Sequence, residues 1–217
     1  MPFCAQDGER CERLIEWIFH LGGRRPNGHC LLVASNDVHP EQIEKNKIGA
    51  SVAFETFESV KVSKAGLNAI WLGAALHVEK NYRVPWFWME PDCTPLHPKW
   101  LSELAGAYYA QPKRYAGTIQ ATKTAGMFGA RAITYPSDAY SEIKPLVVNN
   151  LAFNMQAGGV VVPAMTKHYL VREAVIETPS TYINLPPDCV AVHGDKQSIA
   201  LKAKDSELEA KKSRVKA

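Results

Sequence analysis

The stretch His29-Cys-Leu-Leu-Val-Ala34 is a short apolar run that ends in the polar triplet Ser35-Asn-Asp37. A run of this length without polar alternation is typical of a strand that is buried on both faces. Such strands occur mainly in parallel sheets that carry helices on both sides. The stretch therefore indicates an α/β protein.

Segments with helical and strand patterns alternate on both sides of this run. The helical segments are Glu9 to Leu21, Pro40 to about Glu58 and Lys64 to Lys80, and the further strands are Met1 to Cys4, Val60 to Val62 and Val84 to Met89. The alternation, with its short loops, predicts a mostly parallel central sheet with helices on both faces. In this arrangement the segment that ends at Met89 is the fourth strand.

The pattern changes after Asp92. We predict a helix from His97 to about Ala110, hairpin strands over 116–121 and 130–135, a helix over 149–157 and a last strand over 189–192. The sequence is charged and helix-prone from Lys202 onward, which is typical of a frayed helix or a tail. We therefore expect one domain over residues 1–201, with halves at 1–110 and 111–201, and a charged tail over 202–217.

The composition is that of an ordinary globular protein. Its 217 residues carry a formal net charge of +3, which gives no strong indication of nucleic-acid binding. The five cysteines are odd in number and form no Cys-x-x-Cys pair, which argues against a disulfide framework and a zinc site. No apolar run approaches the roughly 20 residues of a membrane helix, and the first residues lack a signal-peptide pattern. We expect a cytoplasmic protein with no membrane partner.

Two acidic side chains, Glu90 and Asp92, follow directly after the strand predicted to end at Met89. Close carboxylates at a strand end are unfavourable unless a cation lies between them. Mg²⁺ and Mn²⁺ prefer oxygen ligands and often bind one or two carboxylates together with substrate phosphates. The alternative is that Glu90 caps a turn and Asp92 caps the following helix.

Polar clusters lie at three predicted strand ends: Gln6-Asp7, Ser35-Asn-Asp37 and Glu90-Pro-Asp92. Ligands of open α/β sheets bind outside the carboxyl ends of the strands. The three clusters are therefore predicted to face one crevice.

The segment from Lys64 to Leu104 resembles nucleotide-diphospho-sugar transferases, which are glycosyltransferases of the A-type, Rossmann-like fold. The resemblance rests on the helix start Gly66-Leu-Asn68, the strand Trp86-Phe-Trp-Met89, the acidic pair after it, and the helix that begins at Pro98. In that family an Asp-x-Asp motif binds the metal ion of the nucleotide diphosphate. The resemblance therefore implies that Asp92 binds Mn²⁺ or Mg²⁺ and that Glu90, which departs from the motif, lies near the ribose of the nucleotide or near the metal ion.

The late segment His193-Gly-Asp-Lys196 also resembles an element of this family. The resemblance implies that His193 is a further metal ligand and that Lys196 contacts the diphosphate. The alternative is a solvated turn, since the composition of the segment is turn-like.

The resemblance extends to the nucleotide and to the acceptor. It assigns residues 1–110 to a half that binds the nucleotide-sugar, for which we expect UDP, and residues 111–201 to an acceptor half. The nucleotide contacts that it implies are Phe3, Cys4, Asp7, Asp37, Lys64 and Asn68. On the acceptor side it makes Arg131 and Asp138 candidates for contact with sugar hydroxyls.

The catalytic base is not assigned. Inverting members usually carry an acidic residue where this chain has Asn154, so the resemblance favours a retaining enzyme. The first helix and the strand after it resemble transferases of bacterial viruses, some of which glycosylate hydroxymethylated pyrimidines, so DNA is one acceptor that the resemblance implies. Two alternatives stay open: a nucleotidyltransferase, although the loop Ala5–Arg10 is poor in glycine, and a non-catalytic binding protein of the same fold.

Overall fold

The computed structural model describes residues 1–117, 133–148, 151, 156–167, 170–173, 185, 187–194 and 206. The helices are α1 (Gly8–Gly22), α2 (Pro40–Ala53), α3 (Leu67–Asn81), α4 (Trp100–Tyr109), α5 (Ala139–Ile143) and α6 (Gly158–Val161). The strands are β1 (Pro2–Phe3), β2 (Arg25–Ala34), β3 (Phe54–Lys61), β4 (Trp86–Phe87), β5 (Cys93–Pro95), β6 (Tyr115–Gly117), β7 (Ile133–Tyr135), β8 (Met165–Lys167), β9 (Val171–Glu173) and β10 (Ala191–His193). Most of the helix predicted over 149–157, and all of the predicted tail except residue 206, lie outside the described residues.

The first sheet contains β1, β2 and β3 in that order, and all of its strands are parallel. Phe3 pairs with Ala34, and Leu31 pairs with Glu58, so the predicted apolar run is the central strand. This confirms the predicted α/β class with a parallel sheet.

Helices cover both faces of this sheet because the side chains of β2 alternate in direction. Cys30, Leu32 and Ala34 are buried in one core cluster together with α1 and α2. Val33 belongs to a second cluster, with Trp71 of α3 on the opposite face. Each face of the central strand is therefore buried, which explains why its sequence is apolar without alternation.

The predicted boundary between the second helix and the third strand is wrong. The helix α2 ends at Ala53 rather than near Glu58, and the residues from Phe54 to Lys61 form β3. The segment pairs with β2 from Phe54 onward, and its aromatic and β-branched residues suit a strand. Pairing with the central strand thus outweighs the helical pattern.

The predicted placement of Val84 to Met89 as the fourth parallel strand is also wrong. Only Trp86 and Phe87 form a strand, and this strand, β4, lies in a mixed sheet of order β4-β7-β6-β8. It is antiparallel to β7, and the ring of Trp86 stacks on Tyr135 of β7 with 4.8 Å between centroids. Packing of these large rings therefore binds the segment to the hairpin strands. The predicted antiparallel pairing of that hairpin is confirmed for β6 and β7.

A third sheet, of order β5-β10-β9, has no counterpart among the predictions except its strand β10. The strand β5 is only three residues long and is antiparallel to β10. Among the residues that the structure describes, no helix is both long and apolar enough to cross a membrane.

Candidate metal centre

Glu90, Asp92 and His193 come together although about a hundred residues separate the acids from the histidine. One potential ligand atom of each residue lies within 4.8 Å of the others. His193 Nε2 lies 3.1 Å from Asp92 Oδ1 and 3.3 Å from Glu90 Oε2. The three metal ligands predicted from the sequence therefore form one cluster.

The pairing of β5 with β10 builds this cluster. His193 is the register partner of Cys93, the residue that follows Asp92. A turn brings Glu90 to the same place, because the Cys93 N–H donates to the Glu90 carbonyl oxygen at 3.0 Å. Asp92 precedes a strand and not a helix, and α4 has Lys99 at its N-cap. The alternative that Asp92 caps a helix is therefore wrong.

The cluster is largely shielded from solvent. The side chain of His193 is 1% exposed, that of Asp92 11% and that of Glu90 18%. Burial lowers the pKa of His193, but its hydrogen bonds to Asp92 and Glu90 and their negative charges outweigh this effect and raise the pKa to about 9. In the metal-free protein a protonated imidazole thus offsets part of the negative charge of the two carboxylates at neutral pH.

The indole of Trp88 fixes the orientation of Glu90. Its Nε1–H donates to Glu90 Oε1 at 3.2 Å, while the other carboxylate oxygen faces His193. Trp88 is 2% exposed, so its ring is held by the surrounding core. Trp88 is therefore not itself a metal ligand, but its hydrogen bond orients the ligand Glu90.

The chemistry of the donor set fits a divalent cation. Two carboxylates and one imidazole are ligands that Mn²⁺-like ions accept, and three protein ligands leave positions for phosphate oxygens. Cys93 lies beside the cluster, but burial, followed by the charges of Asp92 and Glu90, raises the pKa of its thiol well above the ordinary value. In the metal-free protein the thiol therefore stays protonated, and Cys93 is not one of the three residues whose ligand atoms cluster.

We expect metal affinity at this centre to rise with pH up to about 9, because the proton on His193 must leave before its nitrogen can bind an ion. The gain is about tenfold per pH unit below that value, as one proton is released. The stabilisation from protonated His193 in the metal-free protein is full below its unfolded pKa of about 6.5 and is lost as the pH rises through about 9.

Calorimetric titration with Mn²⁺ under anaerobic conditions, at three pH values between 6.5 and 8.5, measures this dependence. The His193→Gln variant is the control, and its weaker affinity should vary much less with pH. Equal affinity of the natural protein at all three values would contradict the assignment of His193.

We expect the Trp88→Phe substitution to weaken metal binding by about tenfold, since it removes the donor to Glu90 and keeps most of the ring. The matched control is Trp86→Phe, because the Trp86 indole donates to the Pro136 carbonyl oxygen and not to a metal ligand. Mn²⁺ affinity, measured by calorimetry, should change little in the control. Equal losses in both variants would show that Trp88 acts only through packing.

The residues predicted to contact the nucleotide lie mainly at the carboxyl ends of β1 and β2. The Cys4 thiol donates to Asp7 Oδ2 at 3.1 Å. Asp37 is exposed, and hydrogen bonds, first from Ser35, lower its pKa. The backbone of Ala5 also bonds to Asp37, so the two loops that follow β1 and β2 are in contact.

The other predicted nucleotide contacts differ in their surroundings. Phe3 is 1% exposed and its ring belongs to the core with α1. Lys64 is exposed, and the Asn68 amide donates to the Leu151 carbonyl oxygen at 2.8 Å. Lys196 lies outside the described residues.

The predicted acceptor half contains a charged network that the sequence does not reveal. Arg114 forms ion pairs with Asp138 at 2.8 Å and Glu142 at 3.1 Å. The Tyr115 hydroxyl donates to the same Glu142 carboxylate at 2.5 Å. Asp138 is thus held next to a second acid, whereas Arg131 and Asn154 lie outside the described residues.

Two solved structures resemble this fold. One is the glycosyltransferase GlyE of Streptococcus pneumoniae TIGR4, with a TM-score of 0.61 and 9% identity over 91% of this chain and 55% of that chain. The other is the bifunctional glycosyltransferase WbbM in its apo form, with a TM-score of 0.54 and 14% identity over 88% of this chain and 44% of that chain. No protein-family model matches the chain, and no curated protein matches it in sequence.

The chain therefore spans about half the length of these two structures. At this low identity the likeness concerns the arrangement of the backbone. The chain has a glycosyltransferase fold.

Proposed function

We propose that this protein is a metal-dependent glycosyltransferase that takes its sugar from a nucleotide-sugar donor. The observation that carries the proposal is the cluster of Glu90, Asp92 and His193, which lies in a fold similar to those of two glycosyltransferases. An acidic pair with a nearby imidazole is a donor set for a divalent ion that also binds phosphate oxygens.

Each residue of the centre has a role in this proposal. Glu90 and Asp92 provide carboxylate oxygens, His193 provides a nitrogen, and Trp88 orients Glu90. A divalent ion held by these residues would neutralise the charge that develops on a departing nucleoside diphosphate. We propose Mn²⁺ rather than Mg²⁺, because imidazole suits the transition metal better than the harder magnesium ion.

The loops that follow β1 and β2 are the proposed place of the nucleotide. Cys4, Asp7 and Asp37 present polar groups there, and Phe3 anchors the first loop in the core. Lys64 precedes α3, and Asn68 lies in its first turn. Lys196 is proposed to offset phosphate charge. UDP is the proposed nucleotide. Residues 1–110 then form the donor half and 111–201 the acceptor half.

The proposal for the acceptor rests on the sequence. We propose a retaining reaction, since Asn154 stands where inverting relatives would carry an acid. Modified pyrimidines in DNA are the proposed acceptor class, on the resemblance to transferases of bacterial viruses. The basic tail Lys211-Lys-Ser-Arg-Val-Lys216 would suit such a substrate.

Calorimetry with a panel of nucleoside diphosphates, each with and without Mn²⁺, tests the donor proposal. We expect one nucleotide to bind in the presence of the metal ion and to bind much more weakly without it. Absence of binding across the panel would overturn the proposal. A mass-spectrometric screen of nucleotide-sugars for hydrolysis then separates an enzyme from a binding protein, because the latter would bind a nucleotide and release no sugar.

A further inference from the structure

A cavity of about 280 Å³ lies between the first sheet and the mixed sheet. One wall is formed by β2 from His29 onward, and the opposite wall by the segment from Val84 to Met89, which contains β4. Ala74 of α3 and Trp100 of α4 also line the cavity, and they belong to the core clusters on opposite faces of the first sheet. The cavity therefore lies within the layer of the strands, between two helices.

The two walls begin at the same end of the cavity. Tyr82, two residues before Val84, packs its ring edge-on against His29, with 4.6 Å between the centroids. Further along β2, the Met1 amino group donates to the Leu31 carbonyl oxygen at 2.6 Å. The strand β1 pairs with β2 only from Pro2 onward, so the part of β2 before Leu31 has β3 on one side and the cavity on the other. The cavity thus continues the line of β1.

Backbone groups of the β2 wall point to this side of the strand. The Leu31 carbonyl oxygen accepts from Met1, and the Val33 N–H donates to the Met1 carbonyl oxygen at 3.0 Å. Alternate residues of a strand turn their N–H and C=O groups to the same side, so the N–H of Leu31 and both groups of His29 also point to the side of β1. Among the residues that the structure describes, none forms a backbone hydrogen bond with these three groups.

Phe87 has the same property on the opposite wall. The strand β4 is the edge strand of the mixed sheet and pairs only with β7 within it. The Trp88 N–H donates to the Ile133 carbonyl oxygen of β7 at 3.1 Å, so the neighbouring Phe87 turns its N–H and C=O groups away from β7. No backbone hydrogen bond to these two groups occurs within the described part of the chain. Both walls of the cavity are therefore strand edges.

We propose that the cavity is a docking site for a short, extended peptide segment with apolar side chains, which pairs with β2 and β4 and joins the two sheets. Three residues in strand conformation span about 10 Å, which suits the stretch from His29 to Leu31. A strand covered by helices on both faces carries apolar side chains on both, which suits the lining by Ala74, Val78 and Leu101. Strand addition at an open sheet edge is a recurrent mode of peptide recognition.

The hydrogen-bonding groups distinguish a peptide from other apolar occupants. An acyl chain or an aromatic molecule would fill the space, but it would leave the donors and acceptors of both walls without partners, which is unfavourable for buried backbone groups. An extended peptide presents N–H and C=O groups to both sides in alternation, so it satisfies both walls. It also continues the parallel pairing that β1 forms with β2.

The docking site is separate from the candidate metal centre. None of Glu90, Asp92 and His193 lines the cavity. The inference does not depend on the proposed function.

Fluorescence anisotropy of the labelled peptide Lys-Gly-Val-Ile-Val-Lys, titrated with the full chain, tests the proposal. We expect saturable binding that weakens by at least about tenfold when the central isoleucine is N-methylated, because the methyl group removes a donor to one wall. The substitution Val78→Phe, which fills part of the cavity, should weaken binding by a similar factor. Leu101→Phe replaces it if the first variant does not fold.

The matched control is Val52→Phe on α2, because Val52 is 48% exposed and does not line the cavity. This variant should bind the peptide as the natural protein does, and decanoate, as an acyl-chain probe, should not displace the peptide. The proposal is overturned if the peptide does not bind, if the N-methylated peptide or the cavity-filled variant binds equally well, or if decanoate displaces the peptide.

Discussion

The Asp92→Asn substitution is expected to lower the affinity for Mn²⁺ by at least about 100-fold and to remove metal-dependent binding of a nucleoside diphosphate. It replaces a carboxylate ligand by a neutral amide while the backbone stays the same. Asp92 is also the largest influence that raises the pKa of His193, ahead of Glu90. Its loss therefore lowers the pKa of His193 and eases release of the competing proton, but loss of a direct ligand outweighs this gain and exceeds the roughly 10–100-fold effect of a residue that only orients a ligand.

The matched control for this substitution is Asp188→Asn. Asp188 is an exposed acid shortly before β10, and β10 pairs with the strand β5 that follows Asp92. The control therefore makes the same chemical change next to the same sheet. Circular dichroism and thermal unfolding show whether each variant is folded. Unchanged Mn²⁺ affinity in folded Asp92→Asn would contradict the assignment of this residue as a ligand.

The Trp71→Ala substitution is expected to lower the free energy of unfolding by about 3–5 kcal/mol, the usual range for loss of a buried large aromatic side chain. Trp71 on α3 is 0% exposed. Its ring contacts Tyr135 and Trp86, with centroids 5.4 Å and 6.0 Å apart. Because α3 covers the first sheet and those two rings belong to the mixed sheet, Trp71 joins both sheets.

Urea unfolding followed by circular dichroism measures the effect of this substitution. The control is Tyr109→Ala on α4, since Tyr109 is 72% exposed and surface changes usually stay within about 0.5 kcal/mol. If Trp71→Ala lowers the free energy of unfolding by less than about 1 kcal/mol, this would contradict the inference that the Trp71 ring packs the two sheets together.

Much of the first sheet could be predicted from the sequence, because its signals are local. The run from His29 to Ala34 is apolar throughout, and the structure buries both of its faces. The amphipathic spacing of α1 likewise gave nearly correct bounds. The ligand trio was predicted through resemblance to a family and not through spacing, since sequence spacing alone does not relate His193 to Asp92.

The remaining elements depend on contacts between distant segments. The strand β5 has only three residues, and its pairing with β10, which also pairs with β9, is what defines it. The segment before Glu90 was predicted as a parallel strand because its apolar residues fit one, yet Trp86 packs on Tyr135 in another sheet. The sequence around Trp86 contains no pattern that indicates a packing partner in another sheet.

Two contacts of polar side chains escaped prediction for a related reason. The indole of Trp88 looks like one more core residue in the sequence, and only its position next to Glu90 reveals its hydrogen bond. Arg114 and Glu142 are 28 residues apart, and their ion pair follows from the packing of α5 beside β6. Charged residues are common on protein surfaces, so neither Arg114 nor Glu142 was distinctive in the sequence.

The most direct test of the metal centre is anomalous diffraction at the manganese edge from crystals that contain Mn²⁺ and a nucleoside diphosphate. We expect a peak in coordination contact with carboxylate oxygens of Glu90 and Asp92 and with the imidazole of His193, and with a phosphate oxygen on the open side. A bound nucleotide with the manganese peak elsewhere, or with no manganese peak, would contradict this account.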